Sequence, residues 1–268
     1  MVFKILIASN YIFTDALDEL YNKTLGEDNV RGYNRNFDDV VISVVTEKIR
    51  SINEDRYTYL YTPQKYKLSK DAEKADAATA YIEELSPDTI YMLLPNISDG
   101  TKNFVISNKQ TLSGYKNLVL DLRSNYGGLL ADFYKMADLF TLRGEILGYE
   151  KYRMPFLTHA VKSKGNSYLN FDRIIILQDE YTASAAEGLI LSLKGNLDNV
   201  TTIGSKTFGK GIGQVTMPLL DGFAVKATVL LVAGPDDNSI HGIGISPDIP
   251  YTGDSIINEA LRQLSEDQ

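Results

Sequence analysis

The chain contains no cysteine and only two histidines among its 268 residues. Without cysteine there is no disulfide, no thiolate metal site and no thiol nucleophile, and both reducing and oxidising compartments stay open. His159 and His241 lie in separate stretches, the polar "FLTHAVKSKGNS" and the turn-rich "NSIHGIG". They show no zinc-ligand spacing and accompany no G-x-S-x-G elbow, so both read as ordinary loop histidines, and no metal or cofactor is expected. A concentration of positive charge is also missing. Lys and Arg number 27 against 35 Asp and Glu, a net charge of −8 with the basic residues dispersed, which removes the electrostatic footprint of nucleic-acid binding. No apolar run is long enough to span a bilayer, and the opening "MVFKILIASNYIF" lacks a small-residue cleavage pattern. The protein either stays inside the cell or follows a leader or anchor that has been removed. Repeats and low-complexity tracts are absent as well.

What is present is apolar residue enough, 44%, for one large domain with an appendage or for two modest ones. Residues 11 to 50 carry apolar positions at helical spacing and predict two helices, one with Ile12, Leu17, Leu20 and Tyr21, the other with Val40, Val41, Val44, Val45 and Ile49. "RYTYLYTPQKYKLSKDAEKADAA" follows as a tyrosine-rich linker with a Pro turn and a charged run, placing a boundary near residue 75: an N-terminal helical region over 1–75 and a core over 76–268. In the core, strands are expected at 89–95, 117–123, 173–179 and 200–205. Helices are expected up to about 113, from Gly128 to about 141 and after Ser184, and β-rich sequence runs on to about 233. This alternation predicts an α/β fold with a buried, largely parallel sheet.

Three segments could carry chemistry. "YTASAAEGLILSL" places Ser184 among small residues at the start of an apolar helix, either as a plain cap or as a nucleophile with a cleared approach. "GSKTFGKGIGQ" surrounds Lys210 with Gly209, Gly211 and Gly213 and sets Phe208 two positions ahead. Glycines let backbone approach backbone, so the lysine can enter a confined, partly apolar pocket where desolvation disfavours its ammonium and makes it a base for a serine hydroxyl. The plainer alternatives are a Gly-rich turn with a solvated lysine or a phosphate cradle. "LVLDLRSNYGGLLADF" runs a strand into Gly127 and Gly128 and then a helix, a turn whose outward N–H groups suit an oxyanion. It also reads as a tight turn with Asp121 and Arg123 in a structural ion pair.

Together the three segments resemble the C-terminal processing peptidases, the tail-specific serine proteases of family S41. "LVLDLRSNYGG" is similar to that family's L-D-L-R-x-N-x-G-G turn, "YTASAAE" to its [ST]-A-S-A-[SA]-E segment and "KTFGKGIGQ" to its T/S-F-G-K-G-x-x-Q segment. "INEDRYTYLYTPQKY" and "HGIGISPDI" resemble two flanking motifs, so the likeness spans about residues 50 to 250. It implies a ClpP/crotonase-like α/β core, Ser184 as nucleophile, Lys210 as general base and Gln214 as the residue orienting the lysine. Ala185 N–H with Gly127 or Gly128 N–H would form the oxyanion hole, no cofactor is called for, and the substrate is a protein or peptide. The implied place of work is outside the cytoplasm. The PDZ domain usual in the family is missing, since only "KLSKDAEKADAATA" stands where it would be inserted. The two N-terminal helices are then candidates for docking or homo-oligomer contacts. A non-catalytic binding protein on the same fold, like the retinoid-binding proteins of photoreceptors, is the alternative.

Overall fold

The computed structural model describes residues 35–74, 79–165 and 169–266. In chain order the elements are α1 (Arg35–Asn53), β1 (Tyr59–Tyr61), α2 (Pro63–Lys74), β2 (Tyr81–Ser86), β3 (Thr89–Leu93), α3 (Asp99–Ser107), α4 (Lys109–Leu112), β4 (Asn117–Asp121), α5 (Leu130–Ala137), β5 (Ile146–Tyr152), β6 (His159–Lys162), β7 (Arg173–Gln178), α6 (Ala185–Asn196), β8 (Val200–Gly204), β9 (Ile212–Pro218), β10 (Ala224–Ala233), β11 (Ile249–Pro250) and α7 (Ile256–Glu266). They fall into two compact units. The first combines Met1–Asp76 with Lys151–Leu157 and Ile212–Leu231, and the second takes Ala77–Glu150, Thr158–Gly211 and Val232–Gln268.

In the first unit α1 buries Val45, Thr46 and Ile49 on one face. Val44, expected on that stripe, is exposed, because one residue of helix turns a side chain through about 100° away from its neighbour. Within the stretch expected as a linker, Tyr59–Tyr61 form β1 and Pro63–Lys74 form α2. β1 pairs antiparallel with β10 (Tyr59↔Lys226, Tyr61↔Ala224), and β10 pairs with β9 from Ala224↔Pro218 to Leu231↔Ile212. Pro63 opens α2, a position where its missing N–H would have had no helical acceptor, and the charged run forms the rest of that helix. The helix expected around Ile12 to Tyr21 lies outside the described residues.

The second unit is built on a six-stranded sheet in the order β11-β8-β7-β4-β3-β2, parallel from β11 to β3, with β2 antiparallel at the edge. β3, β4 and β7 are almost wholly buried, as continuous apolar runs in a parallel sheet require. One face is covered by α7, whose Ile256, Ala260 and Leu264 pack with Tyr91, Val119, Ile175, Leu177 and Ile203. α5 and α6 pack on each other, and Gly188 admits the ring of Phe133 so closely that a Cβ would stand 3.1 Å from it. α7, β2, β5, β6 and β11 were not anticipated. His159, expected in a loop, sits on β6, paired with β5 through Gly148↔Val161 and Glu150↔His159. "HAVK" is too short and too polar to announce a strand, and it is made one by its partner.

Candidate active site

The chain leaves β7 at Gln178 and enters α6 through a six-residue turn whose last member is Ser184. Ser184 has φ 57° and ψ −118°, a backbone conformation that residues with side chains rarely adopt and that persists only when the surroundings impose it. The constraints are visible. Asp179 Oδ1 accepts the N–H groups of Tyr181 at 3.0 Å and Thr182 at 2.9 Å, Thr182 Oγ1 donates to the Leu122 carbonyl at 2.8 Å, and Ala183 N–H donates to the Asn125 carbonyl at 2.9 Å. Asp179 also takes the Ser124 N–H at 3.0 Å, tying this turn to the L-D-L-R turn. Ahead of that turn, Arg123 closes a forked pair on the fully buried Asp121, which also accepts the Tyr91 hydroxyl at 2.7 Å. Burial and that carboxylate push the Tyr91 phenol well above its ordinary range. The Asp121–Arg123 pair is the structural one expected.

Glu187 joins the segments that carry Ser184 and Lys210. Its side chain has no exposure to solvent, and its carboxylate collects four donors: Ser184 N–H (2.8 Å), Lys210 N–H (2.8 Å), Gly209 N–H (2.7 Å) and the Thr207 hydroxyl (2.6 Å). A buried carboxylate is tolerable only with its lone pairs filled in this way. The same oxygen, Oε2, accepts from Ser184 and from Lys210, so their two backbone nitrogens are no farther apart than those two bonds laid end to end. In the sequence Glu187 was visible only as the last letter of its motif.

Lys210 is half-buried, in a segment flanked by the turn at 240–244. Gly242 N–H donates to Gly209 O at 2.9 Å, a Cβ on Gly211 would stand 2.8 Å from His241 N, and one on Gly244 would stand 2.3 Å from Thr207 O. These close backbone approaches are the reason for glycine here. Phe208 stands two positions ahead of the lysine. Its backbone N–H is held by Thr182 O at 3.1 Å while its ring is 43% exposed.

The two glycines proposed as oxyanion donors differ. Gly127 has φ +95°, and a Cβ there would lie 2.6 Å from Ala183 O and 2.9 Å from Ser184 Cβ, so only glycine fits against Ser184. Gly127 is a buried residue whose N–H donates to Asn125 Oδ1 at 2.9 Å. Gly128 is exposed, and neither its N–H nor that of Ala185 makes a hydrogen bond among the described residues. Gln214 lies on β9 of the first unit, where its Nε2 donates to the Tyr57 carbonyl at 2.7 Å. Among the described residues no group of three or more His, Asp or Glu is placed to hold a metal, and no helix is long and apolar enough to cross a membrane.

Comparison with known proteins gives this geometry a family. Over 166 residues, 60% of this chain and 32% of the other, the sequence is 35% identical to a probable CtpA-like serine protease of Staphylococcus epidermidis (strain ATCC 12228 / FDA PCI 1200). Over 139 residues, 51% of this chain and 27% of the other, it is 40% identical to one of Staphylococcus aureus (strain N315). The chain thus spans about a third of the length of these curated relatives. Among solved structures, a lipoprotein from Streptococcus agalactiae shares the fold at TM-score 0.71 and 20% identity, over 98% of this chain and 93% of that one. The photosystem II D1 C-terminal processing protease shares it at TM-score 0.70 and 18% identity, over 93% and 91%. Residues 88–251, more than half of the chain, match the model of peptidase family S41, and the chain belongs to that family.

Proposed function

We propose that the protein hydrolyses peptide bonds as a serine peptidase in which Ser184 is the nucleophile and Lys210 its base. The hydroxyl of Ser184 adds to the scissile carbonyl as its proton passes to the neutral amine of Lys210, and the amine returns that proton to the leaving nitrogen. Water then repeats the cycle on the acyl-enzyme. The oxyanion is received by the N–H groups of Gly128 and Ala185, the second at the positive end of α6. Gln214 orients the lysine. That role is proposed from the family likeness of "KTFGKGIGQ". The observation that carries the proposal is the Glu187 carboxylate, which binds the backbone of nucleophile and base residues through one oxygen.

A peptide library incubated with the intact chain and with Ser184→Ala tests this. Cleavage by the first and none by the second is expected, with kcat/KM rising about tenfold per pH unit until the lysine is neutral. Retained cleavage by Lys210→Ala together with loss in His159→Ala or His241→Ala would overturn the Ser-Lys assignment. Peptide binding without turnover would favour the non-catalytic alternative. Work outside the cytoplasm on protein C-terminal regions is part of the proposal by family likeness. Homo-oligomer contacts through the N-terminal helices draw support from Val44 and Ile52, which α1 presents to solvent.

A further inference from the structure

Apolar side chains stand in water on the loops that carry the candidate site. Tyr126 is 70% exposed, Leu129 66%, Tyr181 49% and Ile243 62%, and Phe208 joins them. Tyr126 and Leu129 bracket Gly127 and Gly128, Tyr181 precedes Ser184 by three residues, and Ile243 N lies 3.2 Å from where a Cβ on Gly209 would be. Large apolar surface gathered in one place mostly marks a binding site.

The tyrosines are presented by backbone that cannot move aside. Tyr126 lies between Asn125, fully buried with its side chain donating to Leu94 O at 2.8 Å and accepting from Gly127 N–H, and Gly127, whose carbonyl accepts from Ile97 N–H at 3.0 Å. Tyr181 lies between Asp179 and Thr182, and its own N–H is held by Asp179. The two rings meet at 6.3 Å between centroids with 59° between their planes. An exposed aromatic pair on a fixed frame loses little conformational entropy when it takes a ligand. Tyr126 also fills one of the x positions of L-D-L-R-x-N-x-G-G, and Tyr181 stands just ahead of the "TASAAE" segment.

We infer that Tyr126 and Tyr181, with Leu129 beside them, form a subsite for an apolar substrate side chain close to the scissile bond. The inference rests on the proposed peptidase reading for the register of the substrate. A carbonyl placed on the N–H groups of Gly128 and Ala185 brings the neighbouring residues of an extended peptide within side-chain reach of the pair. A leucine- or phenylalanine-like group covers the rings and removes their surface from water.

Binding to Ser184→Ala protein tests the subsite without turnover. Fluorescent peptides carrying Phe, Leu, Gly or Asp at each of the two positions on either side of a cleavable bond are titrated against Ser184→Ala alone. The titrations are repeated with Tyr126→Ala, Tyr181→Ala or both added. At one position Phe and Leu peptides should bind about 10-fold more tightly than Asp peptides, and the double replacement should remove most of that preference while Tyr126→Phe and Tyr181→Phe keep it. Equal selectivity with and without the tyrosines, or no measurable binding of any apolar peptide, would overturn the subsite. Hydrolysis by the intact chain is read separately. Tyrosine-dependent binding with no cleavage would sink the peptidase reading and leave the subsite, whereas cleavage with tyrosine-independent selectivity would do the reverse.

Discussion

Beneath Ser184 the chain buries charge, and around Ser184 it leaves apolar surface in water, the reverse of the usual distribution in a folded protein. Glu187 is wholly enclosed and meets four donors, and Asp179 ties the turn before Ser184 to the L-D-L-R turn. Tyr126, Leu129, Tyr181 and Ile243 are the opposite, mostly exposed and apolar. A buried carboxylate with every lone pair occupied sets positions, because any displacement breaks several strong hydrogen bonds at once. An exposed ring on a pinned backbone sets nothing in the free protein and acts when something covers it. The lower layer therefore concerns geometry and the upper one recognition, and substitutions should separate the two.

The largest effect is expected at the reacting groups themselves. Ser184→Ala and Lys210→Ala should each abolish peptide hydrolysis, the double variant should be no worse than either, and Lys210→Arg should be equally inactive because a guanidinium keeps its proton. Thermal unfolding should change by less than about 1 kcal/mol, since neither change opens a core cavity.

Next comes the lower layer. Glu187→Ala would leave four donors facing a void and should destabilise the chain by about 3 to 5 kcal/mol in urea unfolding. Glu187→Gln keeps the volume but turns an NH2 toward N–H donors, and kcat should fall about 100-fold with KM within about twofold. An unchanged kcat would mean that Glu187 only fills space. Gly127→Ala should cost about 1 to 3 kcal/mol, because it forces a positive φ and a contact with Ala183 O.

The upper layer should answer more gently, with the tyrosine pair altering selectivity about 10-fold and stability hardly at all. The smallest effect is expected at the substrate's end. Between β1 and β2 stand only α2 and a few further residues, an interval too short for a carboxylate-binding domain, so amidated and free-acid peptides of one sequence should be cut at rates within about twofold. A marked preference for the free acid would mean that the core or the N-terminal region reads the tail.

Much of the second unit was legible because its signals are local. "TIYMLL", "NLVLDL" and "RIIILQ" are short apolar runs bounded by turn residues, and they are β3, β4 and β7. α7 had a signal as well, Ile256, Ala260 and Leu264 at helical spacing, although polar neighbours diluted it. The tyrosine stretch misled because Pro63 and the charges after it look like loop chemistry. Tyr59 to Tyr61 become a strand only because β10 supplies the partner more than 160 residues later.

The sequence by itself determined which chemistry is on offer. A serine at a helix start among alanines and a lysine among glycines, in family order and spacing, are properties of consecutive residues. Tertiary structure alone decided which backbone groups remain available. Gly127 and Gly128 are identical as letters, yet one residue is buried with its N–H taken by Asn125 and the other is an exposed residue. Glu187 is one acid among many until folding brings Ser184, Thr207, Gly209 and Lys210 around it. The physical reason is the same in both cases: a hydrogen bond depends on distance and angle in space, and for partners two to 23 residues apart the closing of the backbone sets both.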